Sequence, residues 1–176
     1  GLFPAAIAHE STGYQSIWVR DNIHVAHALY AVGNEKPACQ AMATLTDYFI
    51  KHRDRFDDII SGKTKAAEVM KRPHIRFDGN TLGEIDEKWA HAQNDALGYY
   101  LWFYSLLLLQ GKLTPTHDSL ELLAAFVRYF EKIRFWEDAD SGHWEEARKV
   151  EASSIGTVIA GLMTLKQYLD QNENWS

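Results

Sequence analysis

The run Ala96-Leu97-Gly98-Tyr99-Tyr100-Leu101-Trp102-Phe103-Tyr104-Ser105-Leu106-Leu107-Leu108-Leu109 decides the architecture. It is almost unbroken in its apolar character and too short to cross a bilayer, which takes about 20 residues. A helix this apolar on every side has to be buried among other helices. The segments around it are helical in period as well, and none shows the period-2 alternation of a half-exposed strand, so the chain reads as all-α. Upstream, a helix from about Asn22 to Val32 stops at Gly33-Asn34, and its Ile23, Val25, Ala26, Ala28, Leu29 and Val32 leave little polar face. The next starts near Pro37 and is amphipathic, with Ala38, Met42, Leu45 and Phe49 on one side and Gln40, Thr44, Asp47 and Lys51 elsewhere.

Short helical pieces at Phe56–Ile60 and Thr64–Met70 lead into a long loop, Arg72 to Lys88, of the kind that is often functional in compact domains. Beyond the buried run, Asp118 to Ile133 is amphipathic, with Leu120, Leu123, Val127 and Phe130 on the core side. A second loop spans Arg134 to Lys149. The final helix, with Ser153 expected as its cap, interleaves Ile155, Val158, Ile159, Leu162, Met163 and Leu169 with Gly156, Ala160 and Gly161. The order is thus buried, amphipathic, buried, amphipathic, buried. If consecutive helices are antiparallel, the buried ones all run the same way, ringed by the amphipathic ones, and their N-termini share one face.

Just before each buried helix stands a cluster of aromatic and polar residues: Trp18-Val19-Arg20-Asp21, then Trp89 with Gln93 and Asp95, then Trp144-Glu145-Glu146. Large rings beside hydroxyl-binding groups suit a sugar, which has both apolar C–H faces and many hydroxyls. Tyr14, Trp18, Trp89 and Trp144 can stack on sugar rings while Arg20, Asp21, Gln93 and Asp95 bind hydroxyls. The alternative is that the tryptophans are core residues and Arg20 and Asp21 an ion pair at a helix start. Likewise, repulsion between Glu145 and Glu146 and burial against Trp144 would raise a carboxyl pKa, as a general acid needs, whereas a solvated acidic loop would not.

Composition excludes several classes. Of 176 residues, 46% are hydrophobic and 24% charged, far from the signature of disorder. With 24 acidic and 18 basic residues the formal charge is −6, which argues against a nucleic-acid partner. The single cysteine, Cys39, excludes a disulfide-dense scaffold. His24 and His27, and the group Asp54, Asp57 and Asp58, match neither a zinc nor a calcium spacing, so no metal and no cofactor are expected. There is no G-x-S-x-G and no phosphate-binding glycine loop.

The motifs Tyr14-Gln15-Ser16-Ile17-Trp18-Val19-Arg20-Asp21, Trp89-x3-Gln93-x-Asp95 and Trp144-Glu145-Glu146, in this order, resemble glycoside hydrolase family 15, the glucoamylase family. Trp18-Val19-Arg20-Asp21-Asn22 and Glu151-Ala152-Ser153-Ser154-Ile155-Gly156 are also similar to the related N-terminal domain of the phosphorylase kinase α and β regulatory subunits. The resemblance implies an (α/α)6 barrel with a funnel at one end, of which this chain covers about half as a single partial domain over residues 1–176, truncated at both ends. It implies Glu145 as the general acid for a non-reducing α-glucosyl unit. Arg20 and Asp21 would hold the hydroxyls of that sugar, and Tyr14 and Trp18 would line its subsite. Trp89, Trp144 and Glu146 would bind or orient substrate around it, with Gln93 and Asp95 part of the second motif.

Family enzymes invert the anomeric centre with a second carboxylate about 6.5–9.5 Å away as base, and no position here matches it. The expected partners are an α-glucan or glucosyl oligosaccharide, together with the missing half of the barrel or a second copy of the chain, because an isolated half would expose inner helices. The alternative is a non-catalytic regulatory or carbohydrate-binding domain of the kinase-subunit type. No membrane partner is expected, and the free cysteine with no visible leader leans toward the cytoplasm.

Overall fold

The computed structural model describes residues 1–4 and 16–172, and Tyr14 lies outside them. Six helices carry the fold: α1 (Val19–Ala31), α2 (Glu35–Lys51), α3 (Asp54–Ile60), α4 (Asn94–Leu109), α5 (His117–Ile133) and α6 (Ala152–Gln171). The inner layer is α1, α4 and α6, with α4 in the middle; α2, α3 and α5 lie outside it.

α4 is buried along almost its whole length, as a helix without a polar face must be. Toward the outer layer its Tyr100 meets Phe49 and Phe126 at ring separations of 4.8 and 5.0 Å, and the Tyr100 and Thr46 hydroxyls bond at 2.8 Å. α6 crosses it at two glycines: a Cβ on Gly98 would sit 2.6 Å from the Val158 nitrogen, and one on Gly161 would sit 3.0 Å from the Gly98 oxygen. The backbones approach there because neither residue carries a side chain.

The remaining two inner helices are covered on one side only. Val25 and Val32 of the first inner stretch, and Ile159, Met163 and Leu169 of α6, are exposed, so the expectation of burial all round holds for α4 and not for its neighbours. Other differences are local. The last helix begins at Ala152 and the side chain of Ser153 does not cap it. The expected helical piece at Thr64–Met70 is turn and a single 3-10 turn at Val69–Lys71.

Strands too short for period-2 alternation to register also form: β1 (Ile17–Trp18), just before α1, pairs with β2 (Arg76–Asp78) and β3 (Gly83–Glu84) of the long loop in an antiparallel sheet of order β1-β2-β3. Its register pairs Ile17 with Phe77 and Trp18 with Arg76, while Tyr48 of α2 stacks on Phe77 at 3.7 Å. The sheet therefore ties the loop to the start of α1.

Candidate active site

Arg20 is the second residue of α1 and Asp95 the second of α4, and the two meet where the inner helices begin. Arg20 Nη1 donates to Asp95 Oδ2 at 2.6 Å and Nη2 donates to Gln93 Oε1 at 2.8 Å, with all three side chains buried. Guanidinium has only donors, so it takes the oxygen of the Gln93 amide and leaves the NH2 to turn the other way. That NH2 donates to Glu145 Oε1 at 3.0 Å and to the Ala90 carbonyl at 2.9 Å. Trp89 Nε1 donates to the same Glu145 oxygen at 3.3 Å. One polar chain, Asp95–Arg20–Gln93–Glu145, thus links the three clusters.

Around it opens a cleft of about 330 Å³ walled by Trp18, Arg20, Asp21, His24, His143, Trp144 and Glu145. Trp18 meets Trp89 edge-to-face at 5.3 Å, and the Arg76 guanidinium lies 4.4 Å from the Trp89 ring while pairing with Glu87 at 2.8 Å. Trp89, Gln93 and Asp95 stand behind the cleft as its supports. Trp144 does not bury the acidic pair; the residue is 79% exposed, and Glu145 rests instead on Trp89 and Gln93. Glu146 turns away, pairs with Lys149 at 2.9 Å, and lines an adjacent depression with Asp95, Tyr99, His143 and Glu151.

Sequence reasoning missed two cleft residues and the scaffold of the Glu145 loop. His143 Nδ1 lies 3.7 Å from Asp95 Oδ2, and the His24 ring lies 6.4 Å from that of His143. Burial, with the His143 and Arg20 charges, holds His24 below its ordinary pKa. Behind the cleft, fully buried Arg72 binds Asp138 through both terminal nitrogens at 2.7 and 2.6 Å, and Asn94 Nδ2 donates to Asp138 at 2.9 Å. Asp140 Oδ2 accepts the Asn94 N–H at 2.7 Å, and burial pushes the Asp140 carboxyl up to about 6. Nothing in the spacing of Arg72, Asp138 and Asp140 marks them as partners, because their contacts cross long stretches of chain.

Glu145 itself sits at φ 57°, in the left-handed region that costs a non-glycine residue about 1–2 kcal/mol. Among the described residues, no group of three or more His, Cys, Asp or Glu side chains is placed to hold a metal ion. No helix among them is long and apolar enough to cross a membrane.

Comparison with known proteins gives this geometry its context. An Escherichia coli protein named uncharacterized lipoprotein YgeQ is 31% identical over 147 residues, 74% of this chain and 56% of its own length. A Caenorhabditis elegans protein named probable phosphorylase b kinase regulatory subunit alpha is 27% identical across 87% of this chain and 14% of its own. Among solved structures, the glucose complex of a glycosidase variant superposes with a TM-score of 0.77 at 21% identity, covering 99% of this chain and 47% of that one. The chain therefore spans only part of each relative. The lipoprotein name overturns the lean toward the cytoplasm: a free cysteine and no visible leader do not set the compartment when a relative with this sequence pattern is a lipoprotein. The profile of the glycosyl hydrolases family 15 matches residues 1–173, and the chain belongs to that family.

Proposed function

We infer that the chain supplies the acid-bearing, sugar-binding half of an active site that cleaves α-glucosidic bonds from the non-reducing end with inversion. The observation that carries this reading is the seat of Glu145, whose Oε1 takes N–H bonds from Gln93 and Trp89 at the edge of the cleft. With Oε1 engaged, Oε2 is the oxygen that would carry a proton to the glycosidic oxygen. Exposed Asp21 and the edge of Arg20 would hold the hydroxyls of the sugar, Trp18 and Trp144 would flank its faces, and Tyr14 would complete the subsite.

Inversion also needs a carboxylate about 6.5–9.5 Å from the acid to activate water. That base would come from the part of the barrel that this chain, covering 47% of the glycosidase, does not span. The same missing helices, or a second copy of the chain, would cover Val25, Val32, Ile159 and Met163.

A second reading, a domain that binds sugars or subunits without turnover, is favoured by the relative named as a phosphorylase kinase regulatory subunit. The full-length protein, offered a panel of maltooligosaccharides, should release glucose of inverted anomeric form. Glu145→Gln should lower kcat by about 10²–10⁴ while leaving glucan binding intact. Full activity in that variant would remove Glu145 from the role of acid. Binding without glucose release by the wild type would favour the second reading.

A further inference from the structure

We propose that Asp140 is the positioning residue of the Glu145 loop, the tether that fixes the height of that carboxyl above the cleft. The proposal rests on Glu145 being the acid and adds what holds it there. Asp140 sits where the loop meets two inner helices: its Oδ2 accepts the N–H of Asn94, the first residue of α4, and the Ser154 hydroxyl of α6 favours its ionised form. Its Oδ1 and Ser154 Oγ are both buried, and neither forms a hydrogen bond of good geometry among the described residues. The same residue closes the loop through its backbone, exchanging N–H···O bonds of 2.9 Å with Lys149 in both directions. Between those ends the Ser141 N–H bonds the Ala92 carbonyl at 2.7 Å and the Glu146 N–H bonds the Ser141 carbonyl at 3.1 Å.

Gln93, which holds Glu145, immediately precedes Asn94, so one carboxylate fixes both the loop that carries Glu145 and the amide on which it rests. The left-handed backbone of Glu145 sharpens the need, because a disfavoured conformation persists only where its surroundings over-determine it. The charged groups facing Asp140 are Asp95 on α4, and Asp138 and Arg72 in the flanking loops, with the Tyr129 phenol of α5 beyond them. Two of these are acids, and burial already raises the Asp140 carboxyl. A carboxylate kept there against its own solvation is better explained by position than by stability.

The test varies tether length in the full-length protein. Asp140→Glu keeps the charge and the acceptor but adds one methylene, and should lower kcat by about 10²-fold with KM within about threefold, the size expected of a displacement near 1 Å. Asp140→Asn keeps both length and acceptor and should restore kcat to within about threefold, the difference being a matter of geometry. The Trp89 indole N–H resonance, assigned with Trp89→Phe, reports the Glu145 contact without turnover; it should move in Asp140→Glu and stay in place in Asp140→Asn. An unmoved resonance in Asp140→Glu overturns the proposal, as does wild-type kcat in that variant or an Asn variant as impaired as the Glu variant. If Glu145→Gln proves active while the resonance still moves, the acid assignment fails and the tether stands.

Discussion

Gln93 and Glu145 are joined by a 3.0 Å bond from Nε2 to Oε1, while the other end of the same amide accepts from Arg20 at 2.8 Å. The amide therefore transmits the position of a buried ion pair to the carboxyl at the cleft. Gln93→Leu removes both contacts and leaves an Arg20 N–H buried without a partner. Such an orphan costs about 1–3 kcal/mol, so the denaturation midpoint should fall accordingly. On the proposed function, glucan hydrolysis by the full-length variant should fall beyond what unfolding explains, visible as a lower kcat at a pH and temperature where the variant stays folded.

The Arg20–Asp95 pair is buried on both sides, 8% and 1% exposed. Among the described residues, Arg20→Met leaves the Asp95 carboxylate with only His143, 3.7 Å away, as an ion-pair partner and should destabilise by about 3–5 kcal/mol. The double variant Arg20→Met/Asp95→Leu removes the orphan charge and should recover much of that loss, because a buried pair is worth little more than an apolar replacement. Denaturant unfolding of the two single variants and the double variant gives the coupling directly; additive losses would contradict the pairing.

Much of this site was legible in the letters, and its limits have a physical cause. Arg20, Gln93 and Asp95 stand at the starts of α1 and α4, and Glu145 lies in the loop that leads into α6, so the alternation of buried and amphipathic helices was enough to bring their clusters to one face. The Arg72–Asp138–Asn94–Asp140 network was not legible, because side-chain pairing between loops leaves no period in sequence. The same holds for β1, β2 and β3, each of two or three residues, too short for alternation to register. The all-round burial read into the first and last inner helices failed because apolar composition shows that a face needs covering without showing that this stretch of chain covers it.

Gly98→Ala tests the close crossing of α4 and α6. The new methyl would meet backbone atoms of Thr157 and Val158 at 2.6–2.7 Å, and backbone cannot rotate aside. Although alanine favours helix over glycine by about 1 kcal/mol, overpacking of this kind costs about 1–3 kcal/mol, and contact with backbone puts it at the upper end. The variant should therefore melt several degrees below wild type in differential scanning calorimetry. Gly161→Ala, whose nearest neighbours stand at 3.0–3.1 Å, should lose less.

His91 and Asp140 titrate in opposite senses, and variants separate them. Burial, helped by the charges of His74 and Arg76, pushes His91 down to about 3 from 6.5. The unfolded chain takes up this proton first, so the stability His91 contributes is complete above pH 6.5 and is lost as pH falls toward 3, by at most about 1.4 kcal/mol per pH unit. Asp140 is raised from 3.8 to about 6, so the folded state takes up its proton first and its contribution grows as pH falls from 6 toward 4. The two slopes oppose each other across the same range. His91→Asn, which keeps an acceptor for the Ile75 N–H, should lose less stability than wild type between pH 6.5 and 4. Asp140→Asn should lose more, by on the order of 3 kcal/mol over that range if the full shift is removed. Urea midpoints measured at half-unit steps of pH check both; parallel curves for the three proteins would show that neither group titrates with folding.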